Sequence, residues 1–315
     1  MGKLRAYAAQ QGWYRRLSDA KFGLLTILSP EWNTMAMWKR AYHRPLERKD
    51  PKLLSDKQAW LKLNVYNKSP LVHRLADKLL VRDYARERGL GENLIEVYGI
   101  WNTPEEIDVS DIPVPFVLKA SLGCGGHVFC RDRASLDMDA ARASLRRACS
   151  PMNWLRYAEL QYRPDGNVPQ RFFAERMLDV PEGAAPDDFK FHCYRGKPVH
   201  ITYCYDRGPD GHPKMVRLNM GWEADVRLAD WNRDVREVPP KPGCFEEMVR
   251  IAETLAAPFP FVRVDLYVEH GKPLLGEMTF TPAGCLQADY PGDTELRLGE
   301  LIDLAAIDRG ALEIR

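Results

Sequence analysis

The chain has 315 residues, of which 45% are hydrophobic and 28% are charged, enough for one large domain or for two to three subdomains around apolar cores. The formal net charge of +1 at pH 7 gives no support for non-specific binding to nucleic acid. The seven cysteines lack the CxxC pairs that zinc sites usually contain, so we expect reduced thiols.

The first fifty residues are predicted to form amphipathic helices without visible chemistry. Their basic clusters, such as Lys39-Arg40, are either a solvated helix face or a contact point for an anionic polymer or a membrane surface. No cleavable signal pattern is visible, and the early apolar run from Phe22 to Leu28 is too short to cross a bilayer. We therefore expect a cytoplasmic enzyme without a transmembrane segment, with peripheral contact at the inner membrane face as an option. The packing candidates are Trp13, Tyr14, Leu17, Phe22, Leu24 and Leu25.

Helices are predicted next, from Pro51 to Leu63 and from Leu71 to Arg88. The second is expected to end at Gly89 and Gly91, in the manner of a glycine C-cap. A strand from Leu94 to Trp101 follows. Because helices now alternate with strands, the fold class is predicted to be α/β or α+β.

A glycine-rich loop joins two short apolar strands between Pro115 and Arg131. Lys119 ends the first strand, and glycines in the loop let backbone N–H groups approach a phosphate closely. The order strand, loop, strand matches neither a Walker A motif nor a Rossmann fingerprint, because no helix opens after the glycines. A structural turn is the alternative interpretation. The loop residues of interest are Ser121, Gly123, Gly125, Gly126 and His127.

The middle of the chain is predicted to hold a strand over 170–178 and a hairpin over 188–205 that turns at residues 195–197. Asp188 and Lys190 share one face of the first hairpin strand because side chains alternate. Further along, Lys214 and Arg217 are candidates for contact with the γ-phosphate or an anionic acceptor, and a solvated loop is the alternative.

The segment from Phe261 to Phe280 carries the most informative pattern, a predicted hairpin with a row of polar groups. Arg263 and Asp265 project together from the first strand, and Glu277 and Thr279 project together from the second. The turn at residues 270–272 allows the two carboxylates to approach one another. Hard oxygen ligands of this kind suit Mg²⁺ bridged to the phosphates of a nucleotide. The alternative is a strand with a solvated polar face.

This ordered set of motifs resembles the ATP-grasp superfamily, and more closely its TupA-like branch, which is named for teichuronopeptide biosynthesis. The resemblance covers roughly residues 45 to 305. It implies an α+β ATP-grasp fold, with the nucleotide held between two antiparallel-sheet subdomains and an N-terminal helical extension. The implied division is a helical and small α/β part at 1–112, a lid subdomain at 113–178 and a catalytic subdomain at 179–315. The matching blocks are residues 51–60, 76–82, 116–119, 188–190 and 276–280.

The resemblance also implies roles in binding ATP. Lys119 would contact the α- and β-phosphates, and the loop from Ser121 to His127 would close over the triphosphate. Lys78 would help from the N-terminal side. Asp188 would bind the ribose, and Lys190 would face the acceptor. The adenine slot would be lined by Glu175, Arg176, Met177 and Leu178.

The same resemblance makes Asp265 and Glu277 the magnesium ligands. Arg263 would stabilise charge on the transferring phosphoryl group or on the acylphosphate, and Lys214 would reach the γ-phosphate or the acceptor. Thr279 stands where many ATP-grasp ligases place an asparagine, which a hydroxyl replaces less well as a metal ligand. The implied cofactors are ATP and Mg²⁺.

The implied activity is that of an ATP-dependent carboxylate–amine ligase, which forms an amide through an acylphosphate. The TupA-like branch suggests that an amino acid or peptide is joined to a uronic-acid-containing cell-surface polysaccharide or its precursor. Tryptophans between Trp222 and Trp231 either stack on sugar rings or pack in the core. Two alternatives remain: an ATP-grasp kinase that phosphorylates a sugar or another alcohol, and a non-catalytic nucleotide-binding protein. Nucleic acid is not an expected partner.

Overall fold

The computed structural model describes residues 12–180, 186–207, 212–287 and 289–314, and the side chains of Trp13 and Tyr14 lie outside the described part. Within that part, no helix is both long enough and apolar enough to cross a membrane. The α-helices are α1 (Gly12–Leu28), α2 (Pro30–Tyr42), α3 (Leu54–Asn64), α4 (Pro70–Ala76), α5 (Leu80–Glu87), α6 (Met138–Ala148), α7 (Met152–Leu155), α8 (Phe245–Ala256) and α9 (Thr294–Glu300).

Helix α1 packs on α2 and α7, but fewer of its apolar side chains are buried there than the sequence predicts. Phe22 is buried, but Leu17 and Leu24 are 62% and 58% exposed, so the prediction that these two leucines pack inside is wrong. The close contact is made instead at Gly23, where an added Cβ would lie 3.0 Å from Cε of Met152. This short residue sets which face of α1 meets α7.

The predicted helix from Leu71 to Arg88 is interrupted, and this prediction is wrong in that respect. Asp77 has an extended backbone, with φ −83° and ψ 124°, and its carboxylate accepts hydrogen bonds from the N–H groups of Leu79 (2.8 Å) and Leu80 (2.9 Å). An Asp side chain that caps the following turn competes with continued helix. The break places Lys78 between α4 and α5.

The first sheet has four antiparallel strands in the order β1-β4-β2-β3. The buried side of this sheet packs on α6 around Phe116, Leu118 and Leu145. Strand β1 belongs to this sheet although it precedes the predicted boundary at residue 112, and the three-part domain division stays a prediction. The strands are β1 (Val97–Trp101), β2 (Phe116–Ala120), β3 (Val128–Cys130) and β4 (Phe172–Arg176).

The second sheet has five antiparallel strands in the order β7-β6-β5-β8-β9. Helix α8 covers one side of it, where Phe191, Val264 and Met248 share a core cluster that also includes α3 to α5. The opposite side carries the polar row. The strands are β5 (Asp188–Tyr194), β6 (Lys197–Tyr205), β7 (Lys214–Asn219), β8 (Phe261–Glu269) and β9 (Lys272–Thr279).

Two tight turns fix the register of this sheet, and both were predicted. At each turn, two successive residues have positive φ: Arg195 (48°) and Gly196 (77°), then His270 (51°) and Gly271 (77°). Such two-residue turns match the twist of paired strands. A bulge at Gly276 in β9 then shifts the β8–β9 register: Leu266 pairs with Leu275, and Asp265 pairs with Glu277.

The fold class is therefore confirmed as α+β, with two antiparallel sheets and helices against each. All seven cysteines are free thiols.

We expect Asp77→Ala to lower the free energy of unfolding by about 1 to 2 kcal/mol, because it removes a buried cap between α4 and α5. Urea denaturation measures this loss. The matched control is Asp83→Ala, whose exposed carboxylate pairs with Arg86 at the surface and should cost less than about 0.5 kcal/mol. Equal losses in the two variants would contradict the capping role.

Candidate functional site

A cleft of about 1490 Å³ lies between the two sheets. Strands β2 and β4 line one side, and strands β5, β8 and β9 line the other. Four predicted residues do not line the cleft: Ser121, Gly126, Lys214 and Arg217. The other predicted residues line it, namely Lys78, Lys119, Gly123, Gly125, His127, Glu175, Arg176, Met177, Leu178, Asp188, Lys190, Arg263, Asp265, Glu277 and Thr279.

Asp265 is the centre of the polar row on the five-stranded sheet. Its carboxylate accepts hydrogen bonds from Nε (2.7 Å) and Nη2 (2.6 Å) of Arg263 and from Nζ of Lys190 (2.9 Å). Burial acts to raise the pKa of Asp265, but the two cations outweigh it and hold that pKa below its usual range. Asp265 is therefore an ionised carboxylate in a buried position.

Glu277 and Thr279 extend this centre along β9. The Thr279 hydroxyl donates to Oε1 of Glu277 (2.9 Å) and accepts from Nη2 of Arg263 (3.1 Å). Glu277 also lies 3.6 Å from Arg263 and 3.9 Å from Lys78. Its side chain is 40% exposed, toward the cleft that it lines. The predicted pairing of the two strands' polar faces is confirmed.

Asp188 has an unusual environment at the edge of this cluster. One carboxylate oxygen binds Lys190, whereas the buried Oδ1 has no hydrogen-bond partner within the described part of the chain. Burial and the nearby Asp265 charge raise the pKa of Asp188 to about 6. A buried acceptor without a donor is unfavourable unless a ligand supplies one.

The four-stranded sheet supplies a second pair of charges. Nζ of Lys119 is hydrogen-bonded to the carboxylate of Glu175, which lies diagonally across the β2–β4 ladder on the neighbouring strand. His127, in the following loop, is kept neutral, because burial and then the charges of Lys119 and Lys78 lower its pKa to about 4. Lys119 and Lys78 thus place two positive charges beside His127, and Glu175 pairs with one of them.

The glycine loop is held in place by its neighbours. Nζ of Lys78 donates to the carbonyl of Gly123 (2.8 Å). A Cβ on Gly123 would lie 2.2 Å from the Ala148 carbonyl, and one on Gly126 would lie 2.6 Å from the Ala148 Cβ. These two glycines are needed for the close approach to α6, whereas Gly125 has open space around it. The predicted turn therefore has both a packing role and a face toward the cleft.

Some residues singled out in the sequence lie elsewhere. Lys214 is exposed and pairs with Asp206 at the surface. Arg217 is fully buried, and its guanidinium binds Asp289 (2.9 Å). Trp222 packs against core aromatics, including Phe245. The packing interpretation of this tryptophan is therefore confirmed.

A buried polar cluster at the far end of β9 was not found from the sequence. Glu159 lines the cleft and accepts a hydrogen bond from the Thr281 hydroxyl, which in turn accepts from the Gln161 amide (2.7 Å). Burial raises the pKa of Glu159 to about 7, although the Thr281 bond and the Lys62 charge oppose this. Thr281 lies two residues after Thr279, as Thr279 lies two residues after Glu277, so alternation would place its side chain on the same face. This spacing was the one sequence feature that could have indicated the cluster. Glu159 lies on a short turn without periodicity.

Whether the centre fits Mg²⁺ can be judged from its donors. Among the described residues, no group of three or more His, Cys, Asp and Glu side chains is arranged to hold a metal. Asp265 and Glu277 nevertheless face each other in register, with the Thr279 hydroxyl beside them. Two carboxylates fit an ion that takes its remaining oxygen ligands from phosphates and water.

Comparisons with known proteins agree with this geometry. The family model described as TupA-like ATPgrasp matches residues 56–303. No curated protein matches the sequence.

Solved structures with similar folds include three bacterial ligases, all at low identity. The L-amino acid ligase from Bacillus licheniformis is 15% identical, with a TM-score of 0.41 over 66% of this chain and 43% of that one. The D-alanine–D-alanine ligase from Bacillus anthracis, complexed with ATP, is 13% identical, with a TM-score of 0.42 over 74% and 64%. The D-alanine–D-alanine ligase from Helicobacter pylori is 15% identical, with a TM-score of 0.42 over 74% and 62%. The chain thus spans less than two thirds of each of these proteins.

We expect Glu159→Gln to remove a pH dependence of stability. The folded-state pKa of about 7 lies above the ordinary value of 4.5, so the unfolded chain releases its proton first as the pH rises. The wild-type protein should therefore lose about 3 kcal/mol of stability between pH 4.5 and pH 8 from this group, and little more above it. Glutamine can still accept the Thr281 hydrogen bond.

Urea denaturation at pH 4.5, 6 and 8 checks this expectation. Glu253→Gln, which changes an exposed glutamate on α8, is the control and should keep the wild-type pH dependence. Parallel pH curves for wild-type and Glu159→Gln proteins would refute the assignment.

Proposed function

The chain belongs to the TupA-like ATP-grasp family, and from this premise we propose that it is an ATP-dependent carboxylate–amine ligase. The observation that carries the proposal is the Asp265 centre, where Arg263, Lys190 and Glu277 meet on one wall of the cleft. Lys119 and the glycine loop line the same cleft from the other sheet. A triphosphate between these walls would meet positive charge from both.

The nucleotide would lie along the four-stranded sheet. Lys119 would exchange Glu175 for the α- and β-phosphates, and Lys78 would keep the loop in place through the Gly123 carbonyl. Met177 and Leu178, beyond the end of β4, would contact the adenine, together with Glu175 and Arg176. The Oδ1 atom of Asp188, which is buried without a hydrogen-bond partner, would accept a hydrogen bond from a ribose hydroxyl. This bond would remove the energetic cost of burying an acceptor without a donor.

Asp265 and Glu277 would hold Mg²⁺, with Thr279 as an additional oxygen donor. When bound, the ion would neutralise charge on the phosphate oxygens. Arg263 already contacts Asp265 and Thr279 and lies within 3.6 Å of Glu277. Its guanidinium would therefore lie next to the transferring phosphoryl group.

The reaction begins when a carboxylate oxygen of the substrate attacks the γ-phosphorus of ATP. The bond from the γ-phosphorus to the bridging oxygen breaks, and ADP leaves. The amine nitrogen then attacks the acyl carbon of the acylphosphate, inorganic phosphate leaves with the C–O bond electrons, and the nitrogen loses a proton. Arg263 and Lys190 stabilise the developing negative charge, so the protein acts by positioning and electrostatics.

We further propose that one substrate is a carboxylated sugar, joined to an amino acid or peptide. The charge of the cleft is compatible with anionic ligands. Its lining includes nine arginines and lysines but six aspartates and glutamates, whereas the whole chain is close to neutral. An excess of one sign of charge in a cleft attracts ligands of the opposite sign.

Phosphorus NMR of the protein with MgATP tests the reaction class. The panel contains uronic acids, amino acids and sugar nucleotides, each alone and in pairs. ADP and inorganic phosphate that appear only with both an acid and an amine would establish a ligase. ADP with a new phosphoester would instead identify a kinase and refute the proposal.

We expect Asp265→Asn and Glu277→Gln each to lower turnover by about 100-fold or more, because each removes charge from the phosphoryl-transfer centre. The rate of ADP release in the presence of both substrates measures the effect. Glu253→Gln is the matched control and should retain wild-type turnover. Near-normal rates in both site variants would eliminate the metal assignment.

A further inference from the structure

Two N-terminal helices form one wall of the cleft. Helix α1 contributes Ser18 and Asp19 to the lining, and α2 contributes Arg40. All three residues precede position 56, where the family match begins. This wall therefore lies outside the matched family region.

The wall is fixed on one side to the segment around α7. The Thr26 hydroxyl donates to the Leu155 carbonyl (2.6 Å), and the Asn33 amide donates to the carbonyls of Leu155 (3.3 Å) and Arg156 (3.2 Å). Asp19 forms an ion pair with Arg156. Thr26 and Asn33 are both buried, so these contacts hold the helices in a defined position.

On its other side the wall is fixed to the segment that follows β9. The Tyr42 hydroxyl, at the end of α2, donates to the carbonyls of Cys285 (3.2 Å) and Gln287 (3.0 Å). The chain reaches this segment directly from Thr279 through Thr281, which also lines the cleft. The wall is therefore attached to the segment that follows the carboxylate centre, and both line the same cleft.

Arg40 differs from the neighbouring arginines in this wall. Arg44 binds the buried Asp56 (2.8 Å) and lies 5.3 Å from the Trp38 ring centroid. Arg156 is paired with Asp19. Arg40 is exposed on the cleft wall, and in the described ranges it has no ion pair. A guanidinium of this kind is suited to bind a carboxylate through two parallel hydrogen bonds.

We propose that α1 and α2 complete a subsite for an acceptor that carries a second carboxylate, and that Arg40 binds this carboxylate. The identity of the bound molecule as the acceptor rests on the proposed ligase function. The binding chemistry itself does not. A carboxylate repeated along the acceptor is found both in oligouronates and in acidic peptides, and the two sources can be separated by experiment.

Isothermal titration with trigalacturonic acid and, separately, with triglutamic acid tests the subsite. The protein is saturated with Mg²⁺ and a non-hydrolysable ATP analogue. Wild-type protein should bind one of the two probes, and this identifies the source. Arg40→Ala should weaken that binding about tenfold, and Arg40→Glu should weaken it further, because one charge-assisted contact is lost and then reversed.

The matched control is Lys39→Ala. Lys39 is the preceding residue, is exposed and does not line the cleft, so its loss should leave probe binding unchanged. Affinity for the ATP analogue should be equal in all variants. Absence of binding of both probes to wild-type protein, equal effects of Arg40→Ala and Lys39→Ala, or a parallel loss of ATP-analogue affinity would each overturn the subsite.

The outcome also separates this proposal from the ligase assignment. Probe binding that depends on Arg40, without release of ADP and phosphate in the presence of amines, supports the subsite and refutes the ligase. If ADP and phosphate are released and Arg40→Ala leaves the KM for the acceptor unchanged, the ligase is supported and the subsite is refuted. If both proposals hold, Arg40→Ala raises the KM for the acceptor about tenfold and leaves kcat and the KM for ATP unchanged.

Discussion

The buried Asp265 carboxylate and its two cations are the interaction on which the candidate site depends. A buried carboxylate is unfavourable unless cations and hydrogen bonds compensate it. Arg263 on the same strand and Lys190 on the neighbouring strand provide both. Lys190 reaches Asp265 because the two residues pair directly across β5 and β8. A shift in the register of these strands would therefore also separate the charges of the site. Loss of either cation would leave the buried carboxylate with a single charged partner.

Charged side chains that line the cleft form ion pairs with one another. Lys119 pairs with Glu175 on one sheet, while Lys190 and Arg263 pair with Asp265 on the other. Phosphates entering between the sheets would offer these cations new partners without a large rearrangement of the strands. The family membership and the two antiparallel sheets together confirm the predicted ATP-grasp fold.

Local patterns in the sequence predicted the features that depend on strand geometry. Alternation placed Arg263 with Asp265 and Glu277 with Thr279, and the structure joins these pairs by hydrogen bonds. Their roles with ATP and Mg²⁺ stay predictions. Predictions from the sequence were wrong where contacts outside the local pattern determine the structure. The cap at Asp77 divides the helix that a continuous apolar pattern predicted. Leu17 and Leu24 are exposed because Gly23 brings a different face of α1 onto α7.

Two residues of the cleft were not assigned to it from the sequence: Glu159, and Arg40, which was noted only as part of a basic cluster in the first fifty residues. Glu159 reaches β9 from a short turn, and Arg40 reaches the cleft from a helix outside the matched family region. Neither position belongs to a periodic motif, because both depend on contacts between segments far apart in the chain. The end of the cleft proposed to bind the nucleotide, in contrast, is built from strands and a loop whose patterns are local. A single sequence therefore indicates the residues proposed to bind the phosphates, whereas the residues proposed to bind the second substrate are brought to the cleft by the tertiary structure.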